Sequence, residues 1–154
     1  MALEIDYSGK RVVVTGSGAG IGRSIAVMFA QAGADVVIFD KREDKVQETV
    51  EQINASGGGS AFPVIGDARE EGQIEKMFDE AVELLGGIDV GINNIGMLGP
   101  QGTASLIDMD ESKWRDVLEQ NLLVTALSIK AEAKHMKEID GGVIINVSSG
   151  ETTR

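Results

Sequence analysis

The 154-residue chain has no cysteine, which excludes disulfides, zinc–thiolate sites and thiol nucleophiles and fits a cytosolic protein. It is also short of positive charge, with 14 Lys plus Arg against 25 Asp plus Glu and a formal net charge of −11. Its best basic cluster is the pair Lys41-Arg42, so the phosphate-backbone grip of a generic nucleic-acid binder is excluded. No apolar run approaches the ~18 residues of a membrane span, and Met1 to Lys10 lacks the apolar stretch of a secretory signal. A cytoplasmic protein with no membrane, nucleic-acid or metal partner is expected.

Glycine is what the chain has in plenty, 20 residues concentrated at a few points. With 42% hydrophobic and 25% charged residues, and a length at which ~70% of the unfolded surface is typically buried, the chain is expected to form one domain over 1–154. Its pattern alternates. Val12 to Val14 is an apolar run, followed by a Gly-rich turn and by Ile21, Ile25, Met28, Phe29 and Ala32 at helical spacing up to a C-terminal Gly33. Val36 to Phe39, Ala61 to Ile65, Ile88 to Ile92 and Val143 to Val147 are further strands. Between them, Val46, Val50 and Ile53 mark one helix and Ile74, Met77, Phe78, Ala81, Val82 and Leu85 another. From Asp110 to Glu138 no Gly or Pro intervenes, and Trp114, Val117, Leu118, Leu122, Ile129 and Met136 share one stripe of a long helix. Trp114 and the six Met are expected in the core, and the only imidazole, His135, solvated near the helix end with no catalytic role. Strands alternating with helices imply a parallel sheet with right-handed crossovers.

Gly16, Asp40, Asp67, Asn93-Asn94 and Ser148-Ser149 each stand just past a different strand, along the edge where open α/β sheets bind ligands. The first turn, Thr15-Gly16-Ser17-Gly18-Ala19-Gly20-Ile21-Gly22, has the spacing GxxxGxG rather than GxGxxG. Residues without a Cβ let backbone approach a pyrophosphate whose charge is met by N–H groups at a helix N-terminus. Candidate contacts are Gly16, Ser17, Ala19, Gly20 and Ile21. Asp40, 18 residues after Gly22, can accept the hydroxyls of an adenosine ribose and would repel a 2′-phosphate, which argues for NAD over NADP. Lys41 and Arg42 soften that repulsion, and an Asp here also serves turns and caps.

The segment TGSGAGIG after the first strand, Asp40 after the second, Asn93-Asn94-Ile95-Gly96 after the fourth and Val147-Ser148-Ser149 after the fifth together resemble the short-chain dehydrogenase/reductase family. One departure is Ile95, where the family usually has Ala. The resemblance implies a Rossmann-type doubly wound α/β sheet of order 3-2-1-4-5 and a nicotinamide dinucleotide in the cleft. It implies Asp67 and Ala68 beside the adenine, Asn94 and Gly96 near the ribose, and Ser149 hydrogen-bonded to the reacting oxygen. Asn121, an amide expected to be buried on the apolar stripe of the long helix where Asn is disfavoured, becomes the candidate holder of a water in the proton relay; the lesser alternative is an Asn satisfied by neighbouring backbone. A homo-oligomer through helix 110–138 is also implied.

The family's base, a Tyr in a Tyr-x-x-x-Lys pair, has no counterpart here. The only Tyr, Tyr7, precedes the first strand, and a Tyr titrating near ~10 needs a neighbouring cation to serve at neutral pH. The fifth strand carries no charge, Pro or bulge signal, unlike the third with Pro63. The chain is therefore expected to be the N-terminal part of a longer enzyme, truncated after the fifth strand, or to have that edge covered by another chain. The expected function is NAD-dependent hydride transfer between a secondary alcohol and a ketone, with the chain alone inactive. The alternatives are a nucleotide-binding or assembly module without catalysis and, as a third reading, a methyltransferase on a similar sheet. Met97 to Gly102, with Met97 and Leu98, hints at an apolar substrate wall.

Overall fold

A computed structural model describes residues 5–97 and 106–149. Strands β1 (Arg11–Thr15), β2 (Asp35–Asp40), β3 (Ala61–Ile65), β4 (Val90–Asn93) and β5 (Val143–Asn146) alternate with helices α1 (Gly20–Gln31), α2 (Glu43–Ser56), α3 (Gln73–Leu85), α4 (Glu111–Leu118) and α5 (Val124–Glu138). All pairings are parallel, in the order β3-β2-β1-β4-β5. That is the expected doubly wound sheet.

Alternation along β1 and β2 builds two cores. Val12, Val14, Val36 and Ile38 face Ala26 and Ala30 of α1 and Val46 and Ile53 of α2. Val13, Val37 and Phe39 face Ile74, Met77 and Phe78 of α3 and Ala131 and Met136 of α5. A strand buried on both faces is a continuous apolar run, and each such side chain contributes ~1.5–3 kcal/mol of burial. The Phe39 and Phe78 rings meet edge-on, 6.0 Å apart.

Several expectations about orientation are corrected. The residues of α1 that face the sheet are the small ones, Gly22, Ala26 and Ala30, which let the helix approach closely. Ile21 and Met28, 67% and 68% exposed, therefore flank the interface rather than fill it. The long helix is not one uniform α-helix, because Glu119–Leu123 between α4 and α5 is a π-helical stretch. The first part of its stripe also faces outward, with Trp114, Leu118 and Leu122 42%, 50% and 64% exposed. Met77 and Met136 are core residues, whereas Met97 is exposed. His135 is buried, with Nε2 2.9 Å from Asp79 Oδ1, because its ring lies at the seam between α5 and α3. The expected strands 88–92 and 143–147 lie at 90–93 and 143–146.

The outer strands differ. β3, with Pro63 against Ile38 of β2, needs no partner beyond it. β5 leaves Val143 and Ile145, and Val147 just after it, more than 40% exposed, as its nearly continuous apolar sequence foreshadows.

Candidate dinucleotide site

Because the sheet is parallel, Gly16, Asp40, Asp67, Asn94 and Ser149 follow the C-terminal ends of five adjacent strands on one edge. The first turn is the most constrained part of that edge. Ala19 enters α1 in extended conformation, no side chain caps the helix, and its first turn holds no acidic residue. The first N–H groups of a helix lack intrahelical acceptors, so they are suited to an anion. Gly22 is buried at the point where a Cβ would strike the carbonyl of Gly16, and a Cβ on Gly18 would fall 2.9 Å from the Asp40 carboxylate. Space alone requires glycine at Gly22, whereas a side chain at Gly18 would have to displace that of Asp40.

Three residues that sequence reasoning passed over lock this turn. Arg23 donates from Nε (3.0 Å) and Nη2 (2.5 Å) to the carbonyl of Gly18, which also accepts from Thr49 Oγ1 at 3.2 Å. Thr15 is the pivot to β4: its hydroxyl donates to Ile92 O and accepts from the N–H groups of Asn94 and Ile95. A Thr ending a strand ahead of a glycine was the available signal. Ser17, expected beside the coenzyme, is fully buried, donating to Val14 O at 2.6 Å and accepting from Phe39 N at 3.0 Å. Its side chain staples β1 to β2.

Asp40 is 7% exposed. Its Oδ2 accepts from Gly18 N (3.2 Å) and Arg42 Nη2 (3.0 Å), and its Oδ1 accepts from the N–H and Nε of Arg42. Burial alone would raise its pKa, but the hydrogen bonds and charge of Arg42, with the Gly18 N–H, outweigh it and hold the carboxyl below its ordinary value. Asp67 accepts from Arg69 N and pairs with Lys41 Nζ at 3.3 Å, while Ala68 is buried in the α3-side core. The two cations that follow Asp40 in sequence are thus each bound to a carboxylate.

At the β4 end, Asn94 Nδ2 donates to Thr15 O (3.2 Å) and Gly16 O (3.4 Å), tying the amide pair to the first turn. Ile95 packs close over Gly16, with Cγ1 3.3 Å from where a Cβ there would sit. Asn121 was expected to be buried but is exposed, because the helix face that carries it is uncovered. It is nonetheless fully engaged. Oδ1 accepts from Met97 N (3.0 Å), and Nδ2 donates to Met97 O (2.7 Å) and Val117 O (2.9 Å). The amide clasps the backbone just past Gly96, from within the π stretch, where single-turn irregularities often mark functional positions. Ser149 follows β5, whose end is held by Val147 N donating to Asn93 O at 2.9 Å. Of the suggested substrate wall, residues 98–102 lie outside the described residues.

Residues 10–154 match the family described as short chain dehydrogenase. The chain belongs to the short chain dehydrogenase family, a family of oxidoreductases. It is 39% identical over 145 residues to an uncharacterised oxidoreductase of Thermotoga maritima, covering 94% of this chain and 55% of that one. It is 36% identical over 141 residues to the 7α-hydroxysteroid dehydrogenase of Escherichia coli K12, covering 92% and 53%. A solved 7α-hydroxysteroid dehydrogenase, in complex with NADH and 7-oxo glycochenodeoxycholic acid, superposes with a TM-score of 0.90 at 33% identity, over 100% of this chain and 59% of that one. This short chain dehydrogenase sequence therefore spans a little over half the length of the relatives it matches. Its only Tyr stands before β1, packed edge-on against Phe29 at 4.9 Å, at the edge of the sheet opposite the site.

Proposed function

We propose that this chain is the NAD-binding portion of an enzyme that transfers hydride between a secondary alcohol and a ketone. The observation that carries the reading is the uncapped start of α1 beneath a glycine turn that abuts the buried Asp40 carboxylate. The first-turn N–H groups of Ala19, Gly20 and Ile21 would hold the pyrophosphate, and Asp40 the adenosine ribose. Asp67 and Ala68 would flank the adenine, Asn94 and Gly96 the second ribose. Bound there, the nicotinamide would supply the hydride acceptor or donor.

The chain's own groups would do the rest. Ser149 would donate a hydrogen bond to the reacting oxygen, and Asn121, holding the Met97 backbone, would fix the helix backbone that keeps a relay water. A Tyr base with its Lys would have to come from sequence beyond these residues, so the chain alone is expected to bind but not turn over. The relatives' names do not favour the alternative of a module without catalysis.

The same proposal includes a cytoplasmic location, and among the described residues no helix is long and apolar enough to cross a membrane. It includes a homo-oligomer through residues 110–138, supported by the exposed Trp114, Leu118, Leu122 and Leu127. A groove of about 510 Å³ lined by Ile74, Leu123, Val124 and Leu127 together with charged residues such as Glu75 and Lys130 contains no residue of the first turn. Calorimetric titration tests the coenzyme assignment: NAD should bind more tightly than NADP, and Asp40→Ser should narrow or reverse the gap. Equal affinity for the two in the unsubstituted chain would retire the selectivity.

A further inference from the structure

Glu132 of α5 has no exposed surface, although among the described residues no cation pairs with it. Its Oε2 accepts from Asn93 Nδ2 at 2.9 Å, and the same Nδ2 reaches Asn146 Oδ1 at 3.1 Å. Gly91, one pleat back on β4, is required for this arrangement, because a Cβ there would run into the Glu132 carboxyl. A glycine inside a central strand weakens it, and an unpaired buried carboxyl costs more than an apolar side chain of the same size. Both features stand together at one point, where the ends of β4 and β5 lie side by side. Asn94 follows directly after Asn93, and Ser148-Ser149 follow closely after Asn146.

We propose that Glu132 is a positioning residue: by clasping Asn93, and through it Asn146, it sets the spacing of the two strand ends that carry Asn94 and Ser149. The inference rests on the dinucleotide reading above. It gives α5 a part in the site distinct from that of Asn121, acting from beneath the sheet rather than at its edge. Burial raises the pKa of this carboxyl to about 7, against the opposing hydrogen bond from Asn93, so a neutral group can serve the clasp.

The test is titration of NADH into the unsubstituted chain and the variants Glu132→Gln and Glu132→Leu, with melting temperatures measured alongside. Gln retains an acceptor for Asn93 and should bind within about twofold of the unsubstituted chain, whereas Leu, similar in volume, should melt at least as high yet bind about tenfold more weakly. A Leu variant that binds as tightly as the unsubstituted chain, or a Gln variant as weak as Leu, would overturn the proposal. Should the Leu variant not fold, Asn146→Ala on the exposed strand carries the test: weaker binding at unchanged melting temperature supports the clasp, and unchanged binding overturns it. No binding by the unsubstituted chain would overturn the dinucleotide reading and this inference with it, whereas failure of the variants alone leaves that reading in place.

Discussion

The two sides of the sheet centre are built differently. Strands β1 and β2 are sealed by α1, α2 and α3, and Val12, Val13, Val14, Val36, Val37 and Ile38 have no exposed surface. Around β5 and the helix from α4 to α5, apolar side chains such as Ile145, Leu118 and Leu122 remain more than 40% exposed. The first side holds its site with its own hydrogen bonds. The second carries Asn121 and Ser149 on elements whose outer faces are open. The half proposed to grip a coenzyme is thus closed on itself, and the half proposed to meet substrate has surface left to cover.

Substitutions in the two halves should break or confirm that contrast. Phe78→Ala, in the sealed half, should cost ~3–5 kcal/mol of unfolding free energy, while Ile145→Ala, already 43% exposed, should cost under ~1 kcal/mol by lost area. Comparable losses in denaturant titrations would mean β5 is better covered than the structure shows. Next comes the turn itself. Gly22→Ala would drive a methyl into the Gly16 carbonyl, with an overpacking cost of ~1–3 kcal/mol and a loss of dinucleotide affinity that a binding titration would register.

Acid–base behaviour offers a finer comparison, because one buried carboxyl from each half titrates in the opposite sense. Asp40 is held below its ordinary value, so its contribution is in place above that value and is lost as the pH falls through the acid range. Glu132 is raised from 4.5 to about 7. Its contribution is full below about 4.5 and is lost as the pH rises toward 7, on the order of 3 kcal/mol across that window. Glu132→Gln should flatten stability between those values, and a slope that survives the substitution would assign it to other groups. The smallest effect belongs to the exposed pair Arg115–Glu111: Arg115→Ala should leave the melting temperature within error.

How far the sequence foretold this follows the same division. The strands, the turn and the strand-end positions of Asp40, Asn94 and Ser149 follow from apolar runs punctuated by glycine, which are local signals, whereas the strand order came from the family resemblance. Partner choice was not legible. That Ser17 would turn inward to bond Phe39, that Arg42 would close over Asp40, and that Glu132 would be buried against Gly91 all depend on which chain segments meet. Helical periodicity located the stripe of Trp114, Leu118 and Leu122 but could not say whether anything lies against it. On α1 it favoured Ile21 and Met28 because hydrophobicity outweighs smallness in a periodic count, while close packing on the sheet selected Gly22, Ala26 and Ala30.

The central claim is that the start of α1 receives the coenzyme pyrophosphate. Backbone amide NMR of the isotopically labelled chain during titration with NAD tests it residue by residue. The account predicts saturable shifts concentrated at Ala19, Gly20 and Ile21, with companions at Asn94 and Gly96. Saturation with those amides unmoved, or no saturation at all, would contradict it.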